Sequence, residues 1–313
     1  MTRLALDLAV RVRAAVAPSL GAPGARAGVG VAPGGDVTMA IDEIAEKVTE
    51  QCCTEADDIA FYSEDRGYVE FGRPRATLLI DPIDGTRPAA AGLESCCVSV
   101  AVLPASLDAT LGDVQFGVVH EIKHDQRFVA TRGEGAYAEH GDGTPIPIVL
   151  SDNVDLRALF WASGLRGRPA LPSMVVLEEL IDGCSMHGSF FDLGSCTFDM
   201  TRVVTGQLDA YVDMGWLMVH RIPELEPGFR RAGDGRMCTN FPYDVAAAAL
   251  VVTEAGGVVT AADGGPLESS PAIGSGDGWG LAVIASASRS LHDRLLEATE
   301  KGMQRLQAQV VGT

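Results

Sequence analysis

The chain has 313 residues, 47% of them hydrophobic and 21% charged, the balance of a globular protein whose core needs no staples. A formal net charge of −18 argues against a nucleic-acid surface as its main business. No apolar run reaches the roughly 18 residues a membrane span needs, so none is expected.

The first stretch, "MTRLALDLAVRVRAAVAP", is interrupted by Asp7, Arg11 and Arg13, too polar a run for a signal peptide. Its apolar residues at 4, 6, 8, 9, 10 and 12 predict a half-buried amphipathic helix. A Gly/Pro/Ala loop is expected at 21–36, then a helix from about Thr38 to Glu50 with Ile41, Ile44, Ala45 and Val48 as its core stripe. "DIAFYSEDRG" and "ATLLIDPIDGT" read as strands that end in acids. Three β-rich runs, "CCVSVAVLP", "DVQFGVVHEI" and "RFVATRGEGAYAE", follow with turn residues between them and predict an antiparallel meander.

The second half alternates. "LRALFWAS" predicts a strand, "PSMVVLEELI" and "CTFDMTRVVTGQ" helices, and "LDAYVDMG" a strand. "YDVAAAALVVTEAGG" predicts a helix closed by a Gly pair, "LAVIASAS" a strand, and 288–309 a terminal helix. The fold class this implies is α/β (α+β layered), in two parts divided near residue 150: 1–150 and 151–313. No internal repeat occurs, and "GVGVAPGG" and "GSGDGWG" both miss the dinucleotide fingerprint. Seven cysteines (Cys52, Cys53, Cys96, Cys97, Cys184, Cys196, Cys238) are an odd number without CxxC spacing, and read as reduced, mostly buried thiols of a cytoplasmic protein.

Carboxylates stand where elements end. Glu64 closes "FYSED", Asp81 and Asp84 follow "LLI", Asp244 begins the long helix "YDVAAAALVVTEAGG", and Asp42 lies beside a helix core stripe. Each has an ordinary reading: Asp84-Gly85 as a turn pair, Asp244 as a helix cap, Asp42 as a solvated face, Glu64 as a surface acid. Together they suggest more. Pro82 directs the chain so that Asp84 returns toward Asp81, and two carboxylates so close repel unless protonated or bridged by a cation. Oxygen-only ligands select Mg²⁺, Mn²⁺ or Ca²⁺, and the Gly85 and Thr86 amides form a small nest for a phosphate oxygen. That combination describes metal-assisted transfer of a phosphoryl group to water.

"LLIDPIDGT", "FYSED", "GSCTFDMTRVVTGQLDAYVDMG" and "YDVAAAALVVTEAGG", in this order, resemble the inositol monophosphatase and fructose-1,6-bisphosphatase superfamily over roughly residues 34 to 285. "GGDVTMAIDEIAEK" is most similar to archaeal-type dual-activity members. The resemblance implies a five-layer αβαβα sandwich of the sugar-phosphatase type, lithium sensitivity, a homodimer, and two or three Mg²⁺ ions, with Mn²⁺ as a substitute. By the same resemblance Glu64, Asp81 and the Ile83 carbonyl would hold one metal, and Asp81, Asp84 and Asp244 a second. A third ion would sit near Glu64, with Asp42 reaching it through water. Thr86, polarised by Asp42, would orient the attacking water, and the Gly85 and Thr86 amides would receive the phosphate. Gly194, Ser195 and Asp213 match the region that contacts sugar or cyclitol hydroxyls.

The departures concern substrate. Arg87-Pro88-Ala89 replaces an aromatic-Asn pair, Tyr243 stands where tryptophan is common, and about 27 residues (216–242) intervene before the Asp244 helix. Arg87 is either a surface residue or a contact to a second anionic group. The insertion is either a lid offering His220, Arg221, Arg230 or Arg231, or a subunit contact. The expected substrate is a small phosphorylated metabolite of inositol monophosphate or fructose 1,6-bisphosphate type. Adenosine 3′,5′-bisphosphate is the enzymatic alternative, and a catalytically inactive relative acting as a binding protein the non-enzymatic one. "HEIKH" (120–124) matches H-E-x-x-H, but its strand-like flanks would set the two histidines about 13 Å apart, too far to share a zinc ion.

Overall fold

A computed structural model describes residues 1–31 and 37–311. In chain order the elements are α1 (Thr2–Val16), β1 (Gly28–Val31), β2 (Val37–Met39), α2 (Ala40–Ala56), β3 (Ile59–Ser63), β4 (Gly67–Phe71), β5 (Ala76–Asp84), α3 (Thr86–Ala91), β6 (Cys97–Pro104), β7 (Phe116–Glu121), β8 (Gln126–Thr131), β9 (Gly135–His140) and β10 (Pro145–Ile146). The second half continues with β11 (Phe160–Ala162), α4 (Ala170–Cys184), β12 (Ser189–Phe191), α5 (Cys196–Val204), β13 (Ala210–Val212), α6 (Gly215–Arg221), α7 (Glu226–Ala232), α8 (Pro242–Glu254), β14 (Val258–Ala261), β15 (Val283–Ser286) and α9 (Arg289–Val311).

β1 and β2 pair antiparallel as a small two-stranded sheet, and two larger sheets organise the other elements. One has eight strands in the order β10-β9-β8-β7-β6-β5-β3-β4, and the other five, β12-β11-β13-β15-β14. From β5 to β10 each strand pairs antiparallel with the next, while β3 joins β5 in parallel. In the five-stranded sheet β11 is parallel to both β12 and β13, and β15 runs antiparallel to β13 and β14.

Three apolar clusters separate five layers. α1 and α2 cover one face of the large sheet through Leu8, Val12, Ile41 and Cys53, against Phe61, Leu78 and Val118. α5 and α8 lie between the sheets, where Met200, Val203, Val245 and Val251 meet Leu79, Val119 and Phe128 on one side and Tyr211 and Ala285 on the other. α4 and α9 close the outer face of the small sheet around Trp161, Leu180, Leu291 and Leu295. The result is the αβαβα arrangement the resemblance implied. α8 is apolar nearly all round because it is buried between two sheets, so its sequence shows no clean amphipathic stripe.

Several elements differ from expectation for identifiable reasons. The helix expected from Thr38 begins at Ala40, after a short strand, and runs on to Ala56. Its buried face carries Ile41, Asp42, Ala45, Glu46, Thr49, Cys52 and Cys53; of the polar residues in this stripe, Asp42 accepts the Met39 N–H at the helix start and Glu46 serves the end of β3 and the loop beyond it. Ser63 Oγ donates to Glu46 Oε1 (2.8 Å), and so does the Asp65 amide (3.3 Å). Part of the expected loop at 21–36 is strand β1; its last five residues, 32–36, lie outside the described residues. "RFVATRGEGAYAE" is two strands around a turn, and "GYVEF" adds the edge strand β4. The 216–242 insertion, expected as a long loop, is mostly helical: α6 and α7 bury Leu217, Met218, Phe229 and, with Leu225 and Met237, extend the outer core.

Candidate active site

The centre of the site is an irregularity in β5. Asp81 pairs with Ser99 and Asp84 with Cys97, so three steps along β5 face two along β6. In a regular strand residues three apart point to opposite faces; one extra residue restores them to the same side. The extra residue falls at Pro82-Ile83, where proline has no N–H to withhold from the ladder. The Ile83 N–H donates to Asp81 Oδ1 (3.0 Å), which fixes the first carboxylate. A bulge inside the strand, rather than a turn after it, therefore brings Asp81 and Asp84 together.

Gly85 follows in the left-handed region (φ 90°), and a Cβ there would run into the Ser95 carbonyl. The chain then enters α3, with the Thr86 hydroxyl donating to the Ile83 carbonyl (3.1 Å). Asp244 occupies the first turn of α8, where it accepts the Phe241 N–H (2.6 Å). α5 supports both remaining carboxylates. Ser195 Oγ (2.8 Å) and the Thr197 N–H (2.6 Å) donate to Asp84 Oδ2, and Thr197 Oγ1 donates to the Asp244 carbonyl (2.8 Å). Oxygens of Asp81, Asp84 and Asp244 lie within 4.8 Å of one another. Glu64 extends from the end of β3, whose parallel pairing of Ser63 with Ile80 sets it beside Asp81.

The electrostatics are those of a site short of positive charge. Burial pushes the Asp81 carboxyl well above the usual range, and Glu64, Asp84 and Asp244 push it further. Burial also raises Asp84, against the pull of its Thr197 and Ser195 donors. Asp244 is raised to about 7 by burial and by Asp84. A cation among them would favour the ionised form of all three at once.

These groups line one cavity, open to solvent on one side. Of the residues singled out by sequence, Glu64, Asp81, Ile83, Asp84, Gly85, Thr86, Gly194, Ser195 and Asp244 are on its wall. Ser195 is there to hold Asp84 and to cap α5, accepting the Phe198 N–H (3.1 Å). Asp42 is off the wall, at the start of α2, where it accepts the Met39 N–H (2.7 Å). Arg87 is exposed and off the wall as well. Asp213, expected to meet substrate hydroxyls, is fully buried and ion-paired with Arg168. Two of the insertion's arginines are paired with acids off the wall: Arg221 with Glu300 of α9 (2.5 Å), and Arg230 with Glu226 (2.7 Å) and Asp277 (2.6 Å). The insertion reaches the wall through Cys238, Thr239 and Asn240. In "HEIKH", His120 is a strand residue whose Nε2 lies 2.7 Å from Asp125, outside any metal cluster found among the described residues.

Sequence reasoning missed Arg166, Arg168, Asp192 and Asp199, which also line the cavity. The first two lie in the loop leaving β11. A loop at the C-terminal end of a parallel strand is where α/β sheets present ligand contacts, and "GLRGRP" after a predicted strand carried that signal.

Five αβαβα layers around a buried carboxylate cluster able to hold a cation define the class of protein. The chain belongs to the inositol monophosphatase family, whose family model matches residues 1–304. Human inositol monophosphatase 1 is 28% identical over 220 residues, 70% of this chain; the chain spans about 64% of the human protein's length. The fructose-1,6-bisphosphatase/inositol-1-monophosphatase of Methanothermobacter thermautotrophicus is 24% identical over 305 residues, 95% of each chain. The solved extragenic suppressor protein suhB of Bartonella henselae superposes with a TM-score of 0.71 at 21% identity, covering 96% of this chain and 98% of that one. The family is metal-dependent, and the carboxylate cluster here is consistent with that.

Proposed function

We propose that this protein is a divalent-cation-dependent phosphomonoesterase that hydrolyses a small sugar or cyclitol phosphate. The observation that carries the reading is the β5 bulge, which sets Asp81 and Asp84 on one side, beside Asp244 and directly before the Gly85-Thr86 turn. The donor set fits Mg²⁺, with Mn²⁺ as a substitute: its carboxylates and carbonyl are all oxygen ligands, with no histidine among the described residues of the cavity wall. Glu64, Asp81, Asp84, Asp244 and the Ile83 carbonyl are the groups that would hold two or three ions. Such ions would supply Lewis acidity, an activated water at neutral pH and neutralisation of the leaving oxygen.

The protein's own groups do the rest. The Gly85 and Thr86 amides bind the phosphate oxygens at the turn where φ at Gly85 is positive. Thr86 gives its hydroxyl proton to Ile83, leaving its oxygen to accept from the attacking water. Asp42, to which the family resemblance gives the polarising of Thr86, accepts the Met39 N–H at the start of α2, while the Thr86 hydroxyl proton is engaged by the Ile83 carbonyl. Ser195 and Thr197 fix Asp84 so that its free oxygen is presented in one orientation. The same family reading supports a homodimer, and with six of seven cysteines buried a cytoplasmic setting suits the chain. No helix among the described residues is long and apolar enough to cross a membrane.

The test is phosphate release from inositol 1-phosphate, fructose 1,6-bisphosphate and adenosine 3′,5′-bisphosphate, with Mg²⁺ or with chelator. Release that needs the metal and disappears in Asp81→Asn, with an unchanged circular dichroism spectrum, is expected. Wild-type rates in Asp81→Asn would overturn the assignment.

A further inference from the structure

Glu46 of α2 is an acid with no exposed surface, on the helix face that packs against the large sheet from the side away from the cavity. One carboxylate oxygen, Oε1, has two donors: Ser63 Oγ (2.8 Å) and the Asp65 N–H (3.3 Å). The other, Oε2, is buried without a hydrogen-bond partner among the described residues. Burial raises the carboxyl to about 7, so the acid sits there at a cost, and for packing alone an apolar side chain would do better. The two groups it holds show what the acid is for. They belong to the residues immediately before and after Glu64, the one member of the carboxylate set that comes from a turn rather than from a strand or helix.

Strand alternation explains the arrangement. Phe61 and Ser63 of β3 face the α1–α2 side, while Tyr62 faces α8, stacked on Tyr243 with ring centroids 6.3 Å apart. Glu64 continues the second set and reaches the cavity wall. β3 ends at Ser63, which pairs with Gly67 of β4, so the sheet ladder does not fix the turn between them. That turn is held from behind instead. Besides the two bonds to Glu46, the Ser63 hydroxyl accepts the Arg66 N–H (3.3 Å), the Thr38 hydroxyl donates to the Asp65 carboxylate, and the Arg66 guanidinium lies 3.6 Å from Glu43, one turn before Glu46 on α2.

We propose that Glu46 is a positioning residue for the cation site: from behind the sheet it sets the turn that presents Glu64 to the cavity, and so sets how tightly the site holds a divalent cation. It touches neither cation nor substrate and acts only through the Ser63 hydroxyl and the Asp65 amide. This rests on the phosphomonoesterase reading, in which Glu64 is one of the cation's ligands. A ligand carboxylate on a fixed turn is ordered before the ion arrives; on a released turn it must be ordered as the ion binds, and affinity falls.

Mn²⁺ binding to the full chain, read without substrate by the electron paramagnetic resonance of the free ion, tests it. Glu46→Ala should weaken the dissociation constant by about tenfold or more, the loss usual when a support of a metal ligand is removed. Glu46→Gln keeps a side-chain oxygen for both donors and should bind close to wild type. Ser63→Ala leaves only the Asp65 contact and should weaken binding by about fivefold. Thr49→Val lies on the same buried stripe, but the Thr49 hydroxyl has no hydrogen-bond partner among the described residues, so it should bind like wild type. At saturating Mg²⁺, Glu46→Ala should regain most of the wild-type kcat, because the affinity for the ion is what has changed. A role confined to stability would lower the melting temperature in chelator and leave the dissociation constant alone. Wild-type Mn²⁺ affinity in Glu46→Ala or, should that chain not fold, in Ser63→Ala would overturn the proposal. So would binding in Glu46→Gln as weak as in Glu46→Ala, or an equal loss in Thr49→Val. A wild-type protein that binds no Mn²⁺, or that binds it and releases phosphate from no phosphomonoester, would instead refute the phosphatase reading beneath it.

Discussion

Asp244→Asn separates the cost of assembling the site from its use. Without a cation the folded protein keeps three carboxylates together in a mostly buried pocket, and Asp244 is raised from 3.8 to about 7. The unfolded chain ionises Asp244 as pH passes its ordinary value, while the folded chain retains the proton until about pH 7. This group's contribution to metal-free stability is therefore intact below the ordinary value. It falls as pH rises toward 7, and is fully lost above that. A carboxyl moved from 3.8 to about 7 disfavours its ionised form by about 4 kcal/mol, a ceiling here because Asp244 keeps some solvent contact. Asparagine keeps the side-chain oxygen that accepts the Phe241 N–H and removes the charge. For a chain of this length the gain corresponds to a rise in Tm of up to roughly 6 °C. Thermal melts followed by circular dichroism in chelator at about pH 8, and again in saturating Mg²⁺, read the effect. The variant should melt above wild type in chelator, gain little from Mg²⁺, and show almost no phosphate release. At acid pH, where both chains are neutral at this position, the difference should vanish. A variant that melts below wild type in chelator, or gains as much from Mg²⁺ as wild type does, would refute the cation site.

Two further substitutions examine the supports. Ser195→Ala removes a donor to Asp84 (2.8 Å) and the cap on Phe198 (3.1 Å), so it should cost about 1–2 kcal/mol. It should also raise the Mg²⁺ concentration needed for half-maximal turnover, which a metal titration measures; an unchanged titration would show that Asp84 needs no such anchor. Arg202 of α5 lies over Phe198 (4.5 Å) and is ion-paired with the buried Glu121, whose carboxyl burial pushes up. Arg202→Met should destabilise by about 3–5 kcal/mol through the stranded acid, and Glu121→Gln in that background should recover part of the loss in urea titrations. No recovery would place the cost in the lost packing of Arg202 against Phe198 and Phe128.

How much was legible in advance depends on whether a residue's role is set by its neighbours in sequence or across the fold. Asp81, Asp84 and Gly85 form one local unit, and their spacing with Pro82 is the bulge, so the chemistry could be inferred from seven letters. Asp244 and Asp42 both accept an amide three residues earlier at a helix start; local reading saw a cap in Asp244 and a solvated face in Asp42, and could not tell which one reaches the cavity. Only the packing of α8 between two sheets brings Asp244 to the cluster. The Arg168–Asp213 pair was illegible for the same reason. Asp213 and Arg168 are 45 residues apart, and nothing local says that one neutralises the other. Nor does the composition of 216–242 distinguish a lid from a subunit contact; in the fold Arg221 and Arg230 are paired with acids off the cavity wall, and Leu225, Phe229 and Met237 are buried in the outer core. The consequence reaches beyond bookkeeping of hits and misses. A motif held by one strand can be read locally, whereas a wall assembled from loops that meet only in the folded molecule cannot, and Arg166 and Arg168 on the loop after β11 share such a wall with Thr239 and Asn240.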